Sequence, residues 1–174
     1  MRVNTRHFNL FLALMALAVL CGCQTNSKNK EVSILRVHLE TNSGETNTSR
    51  TVSLLRSDPV LITVEKAPIL TEASIVEARV IDTRGGFALD IRFDEINAGV
   101  LEQYSAANPG RHFVIFGQWG EKAADGRWLA APLITHRIAD GILSFTPDMS
   151  REEADRLVLG LSNVTKKTRK GQIK

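Results

Sequence analysis

Residues 32–40 alternate cleanly: Leu35, Val37 and Leu39 take one face and Arg36, His38 and Glu40 the other, the pattern of a half-buried strand. Residues 41–49 are polar and read as a loop. Thr51 to Leu55 and Val60 to Glu65 read as two strands broken by Ser57-Asp58-Pro59, a hairpin or bent strand around the proline. A connector with a helical turn after Thr71 leads to strands over 75–82 and 87–93. Thr83-Arg84-Gly85-Gly86 joins these two, its glycines supplying the positive φ that a tight turn needs. Asp94 caps a helix to about Asn108, in which Ile96, Val100, Leu101 and Tyr104 would cover a sheet. Apolar strands follow over 112–117 and 128–136, the second marked as an edge or bulge by Pro132, and a short one over 142–145. Ser150 and Glu153 form a capping box for a closing helix with Ala154, Leu157, Val158 and Leu161 at helical spacing. Strands outnumber helices and each helix has one apolar face. The expected class is α+β, a mostly antiparallel sheet with two main helices packed on one face.

The first thirty residues are of another kind. Arg2 and Arg6 precede an apolar run from Leu10 to Leu20, then Leu20-Cys21-Gly22-Cys23-Gln24. The run is about half the length that spans a bilayer. A Leu three residues before the cut disfavours an ordinary signal-peptidase site. The motif looks like a bacterial lipobox: Leu20, Cys21 and Gly22 as the signal-peptidase motif and Cys23 as the lipidated residue. The expected boundaries are a signal peptide over 1–22, a flexible polar tether over 23–30, one domain over 31–164 and a basic disordered tail over 165–174. Firm attachment needs more than one acyl chain. Gln24 after the cysteine points, by resemblance to enterobacterial sorting, to the outer membrane facing the periplasm.

That division changes the charge. The whole chain carries 22 basic and 19 acidic residues, but residues 23–164 carry 15 basic against the same 19 acidic. Five basic residues (Lys166, Lys167, Arg169, Lys170 and Lys174) are gathered at the end. A solvated tail and a contact with anionic lipid or another anionic partner both fit this pattern. Nucleic acid is not expected as a partner outside the cytoplasm. With Cys21 removed and Cys23 acylated, no thiol remains for a disulfide, a metal or catalysis.

Enzymatic motifs are missing: no G-x-S-x-G, H-E-x-x-H, P-loop or paired cysteines. His38, His112 and His136 lack metal-ligand spacing and read as strand-surface histidines. The carboxylate pairs Asp94-Glu95 and Glu152-Glu153 fall at helix starts, where the macrodipole accounts for them. No catalytic residue, metal or cofactor is expected. Trp119 and Trp128 flank a loop expected over 118–127. They are candidates for partner contact, or else fold back as a cover on the sheet.

From Leu70 onward several motifs occur in a fixed order. Leu70-Thr71-Glu72-Ala73-Ser74-Ile75 opens it, followed by the strand over 88–93. Asn108-Pro109-Gly110-Arg111 comes next with its apolar strand, then Ala130-Ala131-Pro132-Leu133-Ile134 with Ile138 and Gly141, and last the helix over 150–161. Together these resemble the head subdomain in the large periplasmic domain of the protein translocase subunit SecD, over residues 70–164. The resemblance implies that fold and a surface that handles polypeptides. The family's transmembrane helices, with their proton-coupling charges, have no counterpart here, so motor activity is not carried over. The expectation is a non-enzymatic, lipid-anchored envelope protein that contacts an exported polypeptide or a translocase component. The alternative is a structural or assembly lipoprotein docked on a fixed envelope complex. An enzyme is the third reading, disfavoured for want of a site.

Overall fold

The computed structural model describes residues 31–42 and 46–172. The lipobox residues Leu20 to Cys23 and the tether lie outside the described residues. The strands are β1 (Ile34–Leu39), β2 (Ser49–Leu54), β3 (Val60–Glu65), β4 (Leu70–Thr71), β5 (Ile75–Thr83), β6 (Gly86–Phe93), β7 (Phe113–Trp119), β8 (Asp125–Ala130) and β9 (Ile142–Phe145). Helix α1 (Glu95–Ala107) follows β6 and helix α2 (Arg151–Gln172) closes the chain; a 3-10 turn spans Glu72–Ser74. Every strand pair is antiparallel, in a four-stranded sheet β4-β1-β7-β8, a three-stranded sheet β5-β6-β9 and a two-stranded ribbon β2-β3. The class is α+β, as the patterning implies.

The main core collects one face of β1 and β7 (Leu35, Val37, Leu39, Phe113, Ile115), the inner residues of β6 and β9, and the buried stripes of both helices. Both helices therefore serve the same side of the four-stranded sheet. Its other side is covered by the ribbon, where Val52, Leu54 and Val64 pack on Val114. Two six-residue strands do not hold together alone in water, so the ribbon depends on this contact.

The caps form as the sequence implies. Asp94 accepts from the Asn97 N–H at 2.9 Å. In the capping box the Glu153 N–H donates to Ser150 Oγ at 3.2 Å, and the Glu153 carboxylate accepts from the Ser150 N–H at 2.8 Å. Gly85 turns the β5–β6 hairpin at φ +86°.

Four expectations are corrected. Ile96 does not cover a sheet: it is 82% exposed, because the buried face of α1 runs through Leu101 and Ser105 and the first turn points Ile96 to solvent. The strand expected over 128–136 is β8, shifted to Asp125–Ala130. A bulge between Ile115 and Phe116 moves the register and the regular strand ends at Ala130, while the chain beyond stays beside β7 through an isolated bridge of Leu133 with His112 and a bond from the Phe113 N–H to Pro132 O at 3.1 Å. The loop expected over 118–127 shrinks to 120–124, since both strands run closer to the turn. Finally, residues 165–172 are not a disordered tail but the last turns of α2. Thr165 Oγ1 donates to Ile75 O at 3.0 Å, and a helix already nucleated by packing extends cheaply. Lys166 and Lys167 also suit the negative end of the helix dipole.

Helix α2 comes closest to the sheet at Gly160. A Cβ there would lie 2.1 Å from Ser33 Oγ and 2.8 Å from Ser33 N, just before β1 begins. Gly99 on α1 has nothing within 4 Å. Gly160→Ala is expected to cost about 2 kcal/mol through overpacking, whereas Gly99→Ala is expected to gain about 0.5–1 kcal/mol from helix propensity. Denaturant titration of the two variants checks both signs.

Candidate functional site

The ribbon is longer than the surface it covers. Val52, Leu54, Ile62 and Val64 point inward, but at the far end Leu55, Val60 and Leu61 are 46%, 50% and 72% exposed. Beneath them runs an apolar groove of about 520 Å³. Its walls are Leu54, Leu55, Val60, Leu61 and Ile62 of the ribbon. Its floor is Leu129, Ala130, Ala131, Pro132 and Phe145, and Glu40 and His112 stand on its rim. The rim pair is fixed: Glu40 Oε2 accepts the His112 N–H at 2.9 Å and lies 2.7 Å from Nδ1 of the same residue.

The outer edge of β3 joins the end of β1: Thr63 O accepts from the Thr41 N–H at 2.9 Å, and Glu40 bridges Val64.

Polar contacts hold the ribbon tip. Leu55 takes a left-handed φ of +62°, which turns the chain out of β2. The next residue, Arg56, donates its backbone N–H to Asp148 Oδ2 at 2.9 Å, and its guanidinium lies 3.4 Å from Oδ1. Burial raises the Asp148 carboxyl, but the Arg56 N–H and guanidinium, with the charge of Arg127, outweigh it and hold the group below the usual carboxylate range. Arg127 reaches Glu153 at 2.8 Å and donates to Asp148 O at 3.2 Å. The Arg127 bond, stronger than the opposing burial, also lowers the Glu153 carboxyl.

The two tryptophans do not flank an exposed loop. Trp119 is 1% exposed in the main core, with Arg127 over its ring at 4.8 Å, so its expected partner contact is corrected to a core role. The inward face of β7 puts it there. Trp128 is half-buried under the ribbon, edge-on to His38 and Phe116 at 5.2 Å and below Arg50 at 5.2 Å. Neither tryptophan lines the groove. The groove residues were missed because ribbon and sheet are distant in sequence; the available signal was Val60-Leu61-Ile62, an apolar run that breaks the alternation of a strand.

His38 is also not on a solvated strand surface, because the ribbon covers it to 2% exposure. Its Nδ1 lies 2.8 Å from Glu65 O, so Nδ1 carries the proton, and Nε2 is buried with no partner among the described residues. His136 is exposed at the end of the 131–136 segment. Among the described residues no three His, Cys, Asp or Glu side chains converge as a metal site would need, and no helix is long and apolar enough to cross a membrane.

Burial pushes the His38 imidazole below its ordinary value of 6.5, against the opposing bond to Glu65 O, and Arg50 and Arg36 push the same way as burial. Below about pH 6.5 the unfolded chain takes up a proton there that the folded chain refuses. The contribution of the neutral ring is thus complete above that pH and lost as pH falls toward the folded value. Stability is expected to be lower at about pH 5 than at about pH 7. His38→Phe is expected to flatten that difference, the other histidines being common to both proteins; denaturant midpoints across the range check this.

A family model described as SecDF, P1 head subdomain, matches residues 47–163. The match includes the ribbon, which lies outside the motif resemblance beginning at Leu70. No curated protein sequence matches significantly. Among solved structures, one described as a membrane component SecDF that enhances protein export superposes with a TM-score of 0.53 at 20% identity, covering 77% of this chain and 64% of that one. At that identity the likeness is one of fold. A SecDF in a super-membrane-facing form gives 0.47 at 14% identity, covering 88% and 32%. The translocon-associated SecDF of Thermus thermophilus gives 0.39 at 15%, covering 92% and 34%. This chain therefore spans less than two thirds of the length of each.

Proposed function

The chain belongs to the SecDF P1 head family, and from that premise we propose that it is a non-enzymatic envelope protein, lipid-anchored through Cys23, that holds extended apolar segments of exported polypeptides. The observation that carries the reading is the open groove under the ribbon tip. A segment in transit exposes aliphatic side chains that a native protein hides, and Leu61 and Val60 offer them an apolar surface. The groove admits side chains by apolarity, which suits many clients. The fold relative is described as enhancing protein export, and it is a membrane component. Here the membrane link is assigned to the lipid. Anchorage in the outer membrane, facing the periplasm, is part of this proposal and rests on the lipobox motif.

Leu61→Asp places a charge where the groove is most exposed and touches no core residue. Binding of a permanently unfolded, Leu- and Val-rich polypeptide is expected to weaken about tenfold, close to the loss of one buried aliphatic side chain. The thermal midpoint should stay within a degree or two. Equal binding by wild type and variant, in fluorescence anisotropy, counts against the groove. Site-specific photo-crosslinking from position 61 in cells separates the partner classes: many exported chains support this reading, and one stoichiometric envelope subunit replaces it with an assembly role. For the anchor, Cys23→Ser is expected to abolish acyl labelling and accumulate precursor, and labelling that persists removes the lipid from the proposal.

A further inference from the structure

Glu31 is the first described residue, and it is clamped to α2. Its carboxylate lies 3.0 Å from Arg156 Nε, and its carbonyl accepts from Asn163 Nδ2 at 3.0 Å. Between these contacts Gly160 meets Ser33. Helix α2 therefore crosses the end of the sheet where the chain enters β1. Beyond Asn163 it continues for nine residues to Gln172, about 14 Å of helix. Lys166, Lys167, Arg169 and Lys170 lie on that extension, and Lys28 and Lys30 precede Glu31 in sequence.

This basic end has few local counter-charges. Lys166 and Lys167 are exposed, and no ion pair engages either among the described residues. Of the nearby carboxylates, Glu31 pairs with Arg156 through one oxygen and Glu77 with Arg79 at 3.0 Å and Arg92 at 3.6 Å, while Glu72, in the 3-10 turn that touches the helix, has its Oε2 buried. Residues 31–164 carry 13 basic and 19 acidic side chains, so the charge is polarised along the molecule. The apolar groove lies at the other end of β1, beside Glu40. Nine residue steps of extended chain run from Glu31 to Glu40, about 30 Å.

We propose that the basic last turns of α2 rest on an anionic lipid surface beside the point where the tether enters, so that the domain stands with its groove facing away from the bilayer. Charge complementarity and the position of the chain entry both select a membrane as the occupant. A lipid tether alone leaves the domain free to tumble. Lys166 and Lys167, exposed on a helix pinned where the chain enters β1, bias it to one orientation, since each is drawn to an anionic headgroup layer over about a Debye length. The contact rests on the reading of the N-terminal thirty residues as membrane attachment, but not on the polypeptide reading of the groove.

The test uses the full chain, incorporated into nanodiscs of phosphatidylcholine alone or of equal parts phosphatidylcholine and phosphatidylglycerol. Lysines are labelled with an amine-reactive ester and counted by mass spectrometry. Labelling of Lys166 and Lys167 is expected to fall roughly fivefold in the anionic discs and to recover at about 0.5 M salt. Equal labelling in both discs overturns the contact. Protection in the neutral discs as well overturns its electrostatic basis. Failure to incorporate into either disc overturns the attachment and this contact together.

Discussion

Strand β7 has no face for water, and most of the architecture answers that. Phe113, Ile115 and Trp119 point into the main core, while Val114 on the opposite face is equally buried. A central strand that is apolar on both sides needs a layer on each. Helices α1 and α2 serve one side and the β2–β3 ribbon the other. The ribbon is too small to exist without this surface. Because it overhangs its support at one end, the same contact that stabilises it leaves Val60 and Leu61 in solvent above a groove.

The polar contacts arrange this packing more than they drive it. Arg127 spans the junction, over Trp119, against Glu153 at the start of α2, and on to Asp148, which holds the ribbon tip through Arg56. These groups are partly exposed, and such pairs contribute little each. Their value lies in direction: they tie β8, the entry of α2 and the ribbon tip into one frame, so the groove's walls and floor keep their spacing. The neutral His38 differs, since its burial between ribbon and sheet makes the ribbon's attachment dependent on protonation state.

The two ends of β1 differ in what surrounds them. At its entry, α2 crosses so closely that only a glycine fits, and the basic turns continue from that crossing. At its exit lie Glu40 and the apolar groove. In the proposed arrangement the groove stands away from the bilayer, which would otherwise compete for the same aliphatic side chains.

Local pattern was enough for much of this. The strict alternation in β1 and β6, the capping box at Ser150 and the Asp94 cap depend on residues within a few positions, and all were legible in the sequence, as were the α+β class and the family likeness. The site was not. Trp119 looked available because it flanks a turn, yet β7 directs it inward. His38 looked solvated because its strand alternates, yet a ribbon from elsewhere in the chain lies over it. Lys166 to Gln172 looked unstructured because they are polar, yet a helix packed on Ile75 carries them along. The sequence by itself determined which residues want burial and how each element begins and ends, because caps and periodicity are short-range. Which faces are finally covered depends on contacts between segments far apart in the chain, and only the tertiary structure decided that the ribbon would cover His38 and leave Leu61 bare.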